Sequence, residues 1–291
     1  MKLKKIIASA LCAAMVLSLA GCGNSGGGSS NNNNSGGSSS EIGSSKEKNA
    51  LERVQEAGVL KVAVSPDFAP YEFEDPSKSG QDTYVGADIE MIKYIADKIG
   101  VDMEIIAMDF DTCLAGVTQN KVDCSINAYY PSEKRKQAVD FTDAYFDDSE
   151  QVVVVAKEYV DKYKDAASFN GETVTAQNGS AQESIVDQYL ADSKKQLISK
   201  VTDGIQMVKS NKAAGVVLQK VVADSIVSSD DSLAIAEPVF IYDEAELVVA
   251  VAKGETELKD KMNEIIKEIN EQGLYNDWLV DAQTLTASIG K

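Results

Sequence analysis

Arginine is scarce in this chain and histidine is absent. After Arg53 the sequence holds a single arginine, Arg135, in Ser132-Glu133-Lys134-Arg135. A guanidinium is a planar fork of donors that meets a carboxylate bidentately, and lysine suffices where only solubility is needed. Arg135 is therefore a candidate anion clamp. The alternative is a surface pair with a nearby acid. The lack of histidine removes the commonest general base, the serine-type triads and histidine zinc sites. Carboxylate and lysine chemistry stay open, but no catalytic residue, metal set or cofactor is read from the sequence. Four cysteines stand at 12, 22, 113 and 124. Cys113 and Cys124 lie in the apolar contexts DTCLAG and VDCSIN and read as buried free thiols, with a disulfide as the alternative.

The chain has 291 residues, 44% of them apolar and 25% charged, enough for one large or two ordinary domains. Its formal net charge is −18, which argues against nucleic acid as a partner and reads as a well-solvated surface. Lys2, Lys4 and Lys5 precede an apolar run from Ile6 to Leu19, too short for an ordinary spanning helix. The run ends in Leu19-Ala20-Gly21-Cys22, which resembles the bacterial lipoprotein cleavage signal. That resemblance implies a signal peptide at 1–21 and an acylated Cys22 that anchors the chain to a membrane. A plain secretory signal is the other reading. Residues 23–50 are mostly glycine, serine and asparagine, a flexible tether.

The elements that must position Arg135 follow from Leu51 onward. Strands are expected at 59–64, 101–107, 122–127, 151–157, 172–177, 196–202, 215–218 and 246–252. Ile89, Ile92, Ile95, Ala96 and Ile99 recur at helical spacing, as do Leu258, Met262, Ile265, Ile266 and Ile269. Further helices are expected at 111–119, 180–190 and 204–211, with Gly179 as a turn and Ser180 as an N-cap. Repeated βα units in two blocks suggest an α/β fold of two lobes, each a mainly parallel sheet flanked by helices. Ligands in such folds bind beyond the carboxyl ends of the strands, here the cleft between lobes.

Four stretches together resemble the amino-acid-type family of bacterial solute-binding proteins: LKVAVSPDFAPYEF at 60–73, YVGADIEMIKYIADKIG at 84–100, residues 110–146, and residues 250–278. The resemblance implies a two-lobed fold of the type II periplasmic-binding-protein kind, closing by hinge bending around a ligand. Lobe 1 would be 52–148 plus 247–291 and lobe 2 would be 149–246. It implies an amino-acid receptor of an ABC importer, with a permease and its ATPase subunit as partners. The receptor would be a monomer on the extracytoplasmic face of the membrane and not an enzyme. A sensor module, or a carboxylate-based lyase on the same fold, is the alternative. By the same resemblance Arg135 clamps the ligand carboxylate, and the turn at Gly179, Ser180, Ala181 and Gln182 adds backbone donors at a helix N-terminus. Phe68 covers the ligand side chain, Phe110 is a similar case, and Ala128 offers its carbonyl to the ammonium. Two positions depart from the family. Tyr130 stands where a short hydroxyl is usual, and with Tyr129 it narrows or walls the pocket. Gln219 stands where an acid often pairs with the ammonium. Either Asp243, Glu244 or Glu246 substitutes, or the ligand is not a standard α-amino acid.

Overall fold

Two runs of valine, one near the middle of the chain and one near its end, form the backbones of two separate sheets. The structure is a computed structural model and describes residues 48–289. The expected signal peptide, Cys22 and most of the tether lie outside the described residues.

Helix α1, Ala50–Ala57, leads into β1, Val59–Val64. A small antiparallel sheet follows, made of β2, Asp67–Phe68, β3, Glu72–Glu74, and β4, Tyr84–Val85. Then come α2, Ala87–Ile99, β5, Asp102–Ala107, α3, Phe110–Thr118, and β6, Cys124–Tyr129. The short α4, Glu133–Lys136, precedes β7, Val139–Phe141, and β8, Phe146–Asp147. The second block opens with β9, Glu150–Ala156, and continues through β10, Thr173–Gln177, α5, Ala181–Tyr189, and β11, Lys194–Ile198. It ends with α6, Val201–Lys209, β12, Gly215–Gln219, α7, Lys220–Ser229, and β13, Leu233–Ile241. The chain then returns to the first block as β14, Glu246–Ala252, followed by α8, Thr256–Gln272, and α9, Leu274–Ile289.

The first sheet has the order β5-β1-β6-β14-β7, with β8 also paired to β14, and the second has the order β11-β10-β12-β9-β13. In the first, β1 runs parallel to β5 and β6 while β14 is antiparallel to β6, β7 and β8. In the second, β10 is parallel to β11 and β12 while β9 is antiparallel to β12 and β13. Both sheets are therefore mixed. Parallel neighbours are joined through helices, as such crossovers require, and the antiparallel strands β9 and β14 are the ones arriving from the other sheet. The two passes between the sheets bond to each other: Asp148 N–H to Ala245 O at 3.1 Å and Tyr242 N–H to Ser149 O at 2.9 Å.

Val152–Val155 and Val249–Val251 are fully buried, the continuous apolar signature of strands covered on both faces. Helices α2 and α8 bury the stripes read from the sequence. The start of α2 requires glycine. Gly86 has φ 129°, and a Cβ there would lie 2.1 Å from the carbonyl oxygen of Tyr71. One expected strand, 196–202, is displaced: β11 ends at Ile198 and α6 begins at Val201. The reason is tertiary, since Asp67 reaches from the first block to accept the Val201 N–H at 2.6 Å. Cys113 on α3 and Cys124 in β6 are buried free thiols, and burial pushes the Cys113 thiol up to about 12.

Candidate functional site

The short helix α4 starts with a capped turn. The Ser132 hydroxyl accepts the Arg135 N–H at 3.4 Å and so fixes where the arginine leaves the backbone. The side chain then crosses to the second block. Its Nη1 donates to Tyr130 O at 2.8 Å and its Nη2 to Gly179 O at 3.0 Å. The guanidinium carbon lies 5.0 Å from the ring centre of Tyr129 and 5.5 Å from that of Phe110. Such faces attract a cation without neutralising it. Burial lowers the Arg135 pKa, opposed by Tyr129, Tyr242 and Tyr130, and a guanidinium remains charged under such a shift.

Facing Arg135 is the N-terminus of α5. Gly179 adopts φ 74°, which turns the chain from β10 into the helix. Ser180 caps α5 by accepting the Glu183 N–H at 3.3 Å, and the Glu183 carboxylate accepts the Gly179 N–H at 2.9 Å. Arg135, Phe110, Tyr129, Ser180, Ala181 and Tyr242 line a cavity of about 500 Å³ between the two blocks. That volume suits a small organic ligand. Its lining combines the cations Arg135 and Lys134, a helix N-terminus and aromatic walls with the carboxylates of Asp111, Glu183 and Asp187, so it offers partners to both charges of a zwitterion.

Tyr130 and Gln219 do not line this cavity but meet beside it. Tyr130 is 2% exposed, and its ring stacks on Tyr242 with centroids 4.7 Å apart. Its hydroxyl donates to the Asp148 carbonyl and accepts from Gln219 Nε2 at 2.6 Å and Gln151 Nε2 at 3.0 Å. Gln151 and Gln219 are directly opposite each other on β9 and β12, so their side chains share a face. Gln182, on the first turn of α5, donates to Gln151 Oε1 at 2.7 Å.

Phe68 and Ala128 also lie outside the cavity lining. Phe68 is buried with its ring centre 6.2 Å from that of Tyr71. Ala128 sits in the left-handed region at φ 45°. Its N–H donates to buried Asp88 Oδ2 at 3.0 Å, and Tyr145 and Tyr275 donate to the same carboxylate. Burial raises both Asp88 and its neighbour Glu72, and the adjacent Asp88 charge pushes Glu72 up further. The structure thus gathers Arg135, Phe110, Ser180 and Ala181 around one cavity, with Tyr130 and Gln219 bonded to each other at its edge. Asp243, Glu244 and Glu246 are exposed, and none of them lines it.

Sequence reasoning did not single out Tyr242, Gln151, Asp67 or Asp111. Asp111 Oδ2 accepts from Asn178 Nδ2 at 2.6 Å, a second carboxylate reaching between the blocks. A signal existed for Gln151, because a polar residue beside the fully apolar run Val152–Val155 marks a strand end that meets polar surroundings. Nothing local marked Tyr242, whose place depends on β13 ending beside β9.

The chain resembles proteins of known binding activity along nearly all of its described length. It is 29% identical over 217 residues to the arginine-binding extracellular protein ArtP of Bacillus subtilis, covering 74% of this chain and 82% of that protein. It is 24% identical to the histidine-binding periplasmic protein of Salmonella typhimurium, covering 74% of this chain and 84% of that protein. Among solved structures, the amino acid ABC transporter substrate-binding protein AbpA of Streptococcus pneumoniae, bound to L-arginine, superposes with a TM-score of 0.77 at 31% identity, covering 82% of this chain and 100% of that one. An ancestral arginine-binding protein bound to glutamine superposes with a TM-score of 0.69 at 32% identity, covering 76% and 95%. These likenesses share the two-lobed fold, and residues 60–280 match the family profile throughout: the chain belongs to the bacterial extracellular solute-binding proteins, family 3.

Proposed function

We propose that this protein is the substrate-binding component of an ABC importer and that it holds an amino acid between its two lobes without altering it. The observation that supports this most is the guanidinium of Arg135, half-buried in a cavity between the blocks and opposite the N-terminus of α5. In this reading Arg135 and the first amides of α5, at Ser180 and Ala181, share the ligand carboxylate. Phe110 flanks the side chain from within the cavity, while Phe68, the Ala128 carbonyl and Gln219, which lie outside its lining in this structure, join the site only as the lobes move around the ligand. Lobe 1 is 52–148 plus 247–291 and lobe 2 is 149–246, hinged at the paired passes. Cys22 carries the lipid, residues 23–50 span the distance to the membrane, and the monomeric closed form docks on the permease and its ATPase subunit.

A thermal-shift panel of amino acids on the full chain tests the reading, with arginine, histidine and glutamine first. A ligand at 100 times its Kd adds about 2.7 kcal/mol of stability. The expected result is a shift with at least one amino acid that Arg135→Ala abolishes, the affinity falling about a hundredfold or more. A shift given by an amine that has no carboxylate, and unaffected by Arg135→Ala, overturns it.

A further inference from the structure

Among the described residues three aromatic rings line the cavity, and Arg135 occupies two of them. Its guanidinium carbon lies 5.0 Å from the ring centre of Tyr129 and 5.5 Å from that of Phe110. The third ring, Tyr242, has no arginine or lysine over it among the described residues. One face of it is closed by Tyr130, with 4.7 Å between ring centres and 30° between planes. Tyr130 is buried and outside the cavity lining, so it stands behind Tyr242, and the half-buried Tyr242 ring turns its other side to the cavity. The phenol lies within the field of the clamp: burial and Glu244 raise its pKa, and the Arg135 charge opposes them. Tyr242 also differs in what carries it. The rest of the lining belongs to one block or the other. Tyr242 stands on the second pass between them, just beyond β13, and its N–H bonds Ser149 O on the first pass at 2.9 Å.

We infer that Tyr242 is a specificity-determining residue: backed by Tyr130 and held at the hinge, its ring receives the ligand's side chain and favours a planar or cationic end, such as an amide, imidazole or guanidinium, over an aliphatic one. The electron-rich face of a ring attracts such groups beyond the gain from burial alone. The inference rests on the reading of Arg135 as the carboxylate clamp. An arginine held there keeps the ring faces beneath it engaged, and Tyr242 is left as the free one. Because the ring belongs to the hinge and to neither lobe, a side chain stacked on it meets the joint about which the lobes turn.

The test measures binding of L-arginine, L-glutamine and L-histidine to the full chain, with L-norleucine as the aliphatic competitor. Tyr242→Leu is expected to weaken the amino acid that binds by about threefold to tenfold, and Tyr242→Phe, which keeps the ring, by less than about twofold. Norleucine is expected to compete no worse against Tyr242→Leu than against the unaltered chain. Contact is read directly with isotope-labelled tyrosine rings: a nuclear Overhauser effect from the ligand's side chain to one tyrosine is expected, and Tyr242→Phe removes it. That readout also decides the matter if Tyr242→Leu does not fold. A Tyr242 that only braced Tyr130 would give no such effect, and its replacement by leucine would weaken the amino acid and norleucine alike; either result overturns the inference. If Arg135→Ala still abolishes binding in that case, the clamp reading stands alone. If none of the three amino acids binds the unaltered chain, both fall together.

Discussion

Asp148 occupies the first pass between the lobes. Its carbonyl takes the Tyr130 proton, and its carboxylate accepts from Tyr71 at 2.8 Å. Burial raises its pKa from an ordinary 3.8 to about 6, with Glu150 and Asp147 pushing the same way and the Tyr71 hydroxyl and Lys220 opposing. The folded chain thus holds this proton more tightly than the unfolded chain does. The stability so gained is present in full below about pH 4 and is lost as the pH rises through about 6, a total on the order of 3 kcal/mol. Asp148→Asn keeps an acceptor for Tyr71 and removes the charge. The variant is expected to unfold at a higher temperature than the wild type at pH 7.5, with the gap closing toward pH 4. Melting curves followed by circular dichroism across that range decide it, and a constant gap removes Asp148 as the source. Arg135 was legible in the sequence because its residue type is rare here. The partners of Tyr130 were not, because Gln219 stands 89 positions away and no local pattern encodes such a pairing.

Elements with strong periodicity were legible almost to the residue. The 151–157 strand appears as β9, the 246–252 strand as β14, and the isoleucine stripe as α2. Each is buried on the face, or faces, that its pattern specifies, so packing and sequence agree. β11 was misplaced because its downstream boundary is set by Asp67 capping α6 from the other lobe, a contact with no trace in the local sequence. The junction of β4 and α2 gives a sharp expectation of its own. Gly86→Ala drives a Cβ into the Tyr71 carbonyl at a φ that L-residues rarely adopt. A loss of about 3 kcal/mol is expected, seen as a lower urea midpoint with an unchanged slope. A midpoint within error of wild type would mean that the turn relaxes freely.

Across the whole molecule, the lobes meet through side chains of the first that reach the backbone or amides of the second. Asp67 caps α6, Asp111 bonds Asn178, Arg135 bonds Gly179, and Tyr130 bonds two glutamines. Hinged proteins of this kind place part of the ligand's affinity in the contacts that closure makes. Removing two of them with Asp67→Ala and Asp111→Ala is expected to weaken ligand binding about tenfold. Small-angle scattering without ligand is expected to show a larger radius of gyration, since neither carboxylate lies within a lobe's own core. An unchanged radius together with unchanged affinity would show that these contacts do not hold the lobes together. The two-lobed α/β class was legible from the alternation of strands and helices. The mixed character of each sheet was less so, because it depends on where the chain crosses back.

The place of β14 between β6 and β7 carries a consequence for how the protein is born. A chain emerging N-terminus first supplies β6 and β7 early, but the strand that separates them only after residue 246 is out. Until then the first sheet is split down its middle, with one edge of β6, a strand buried along its whole length in the finished protein, left unpaired. The second sheet, drawn from one uninterrupted stretch between 150 and 241, has everything it needs beforehand. Nascent molecules therefore pass through a stage with one half finished and the other presenting an adhesive edge, and synthesis halted before Ala252 leaves that edge permanently open.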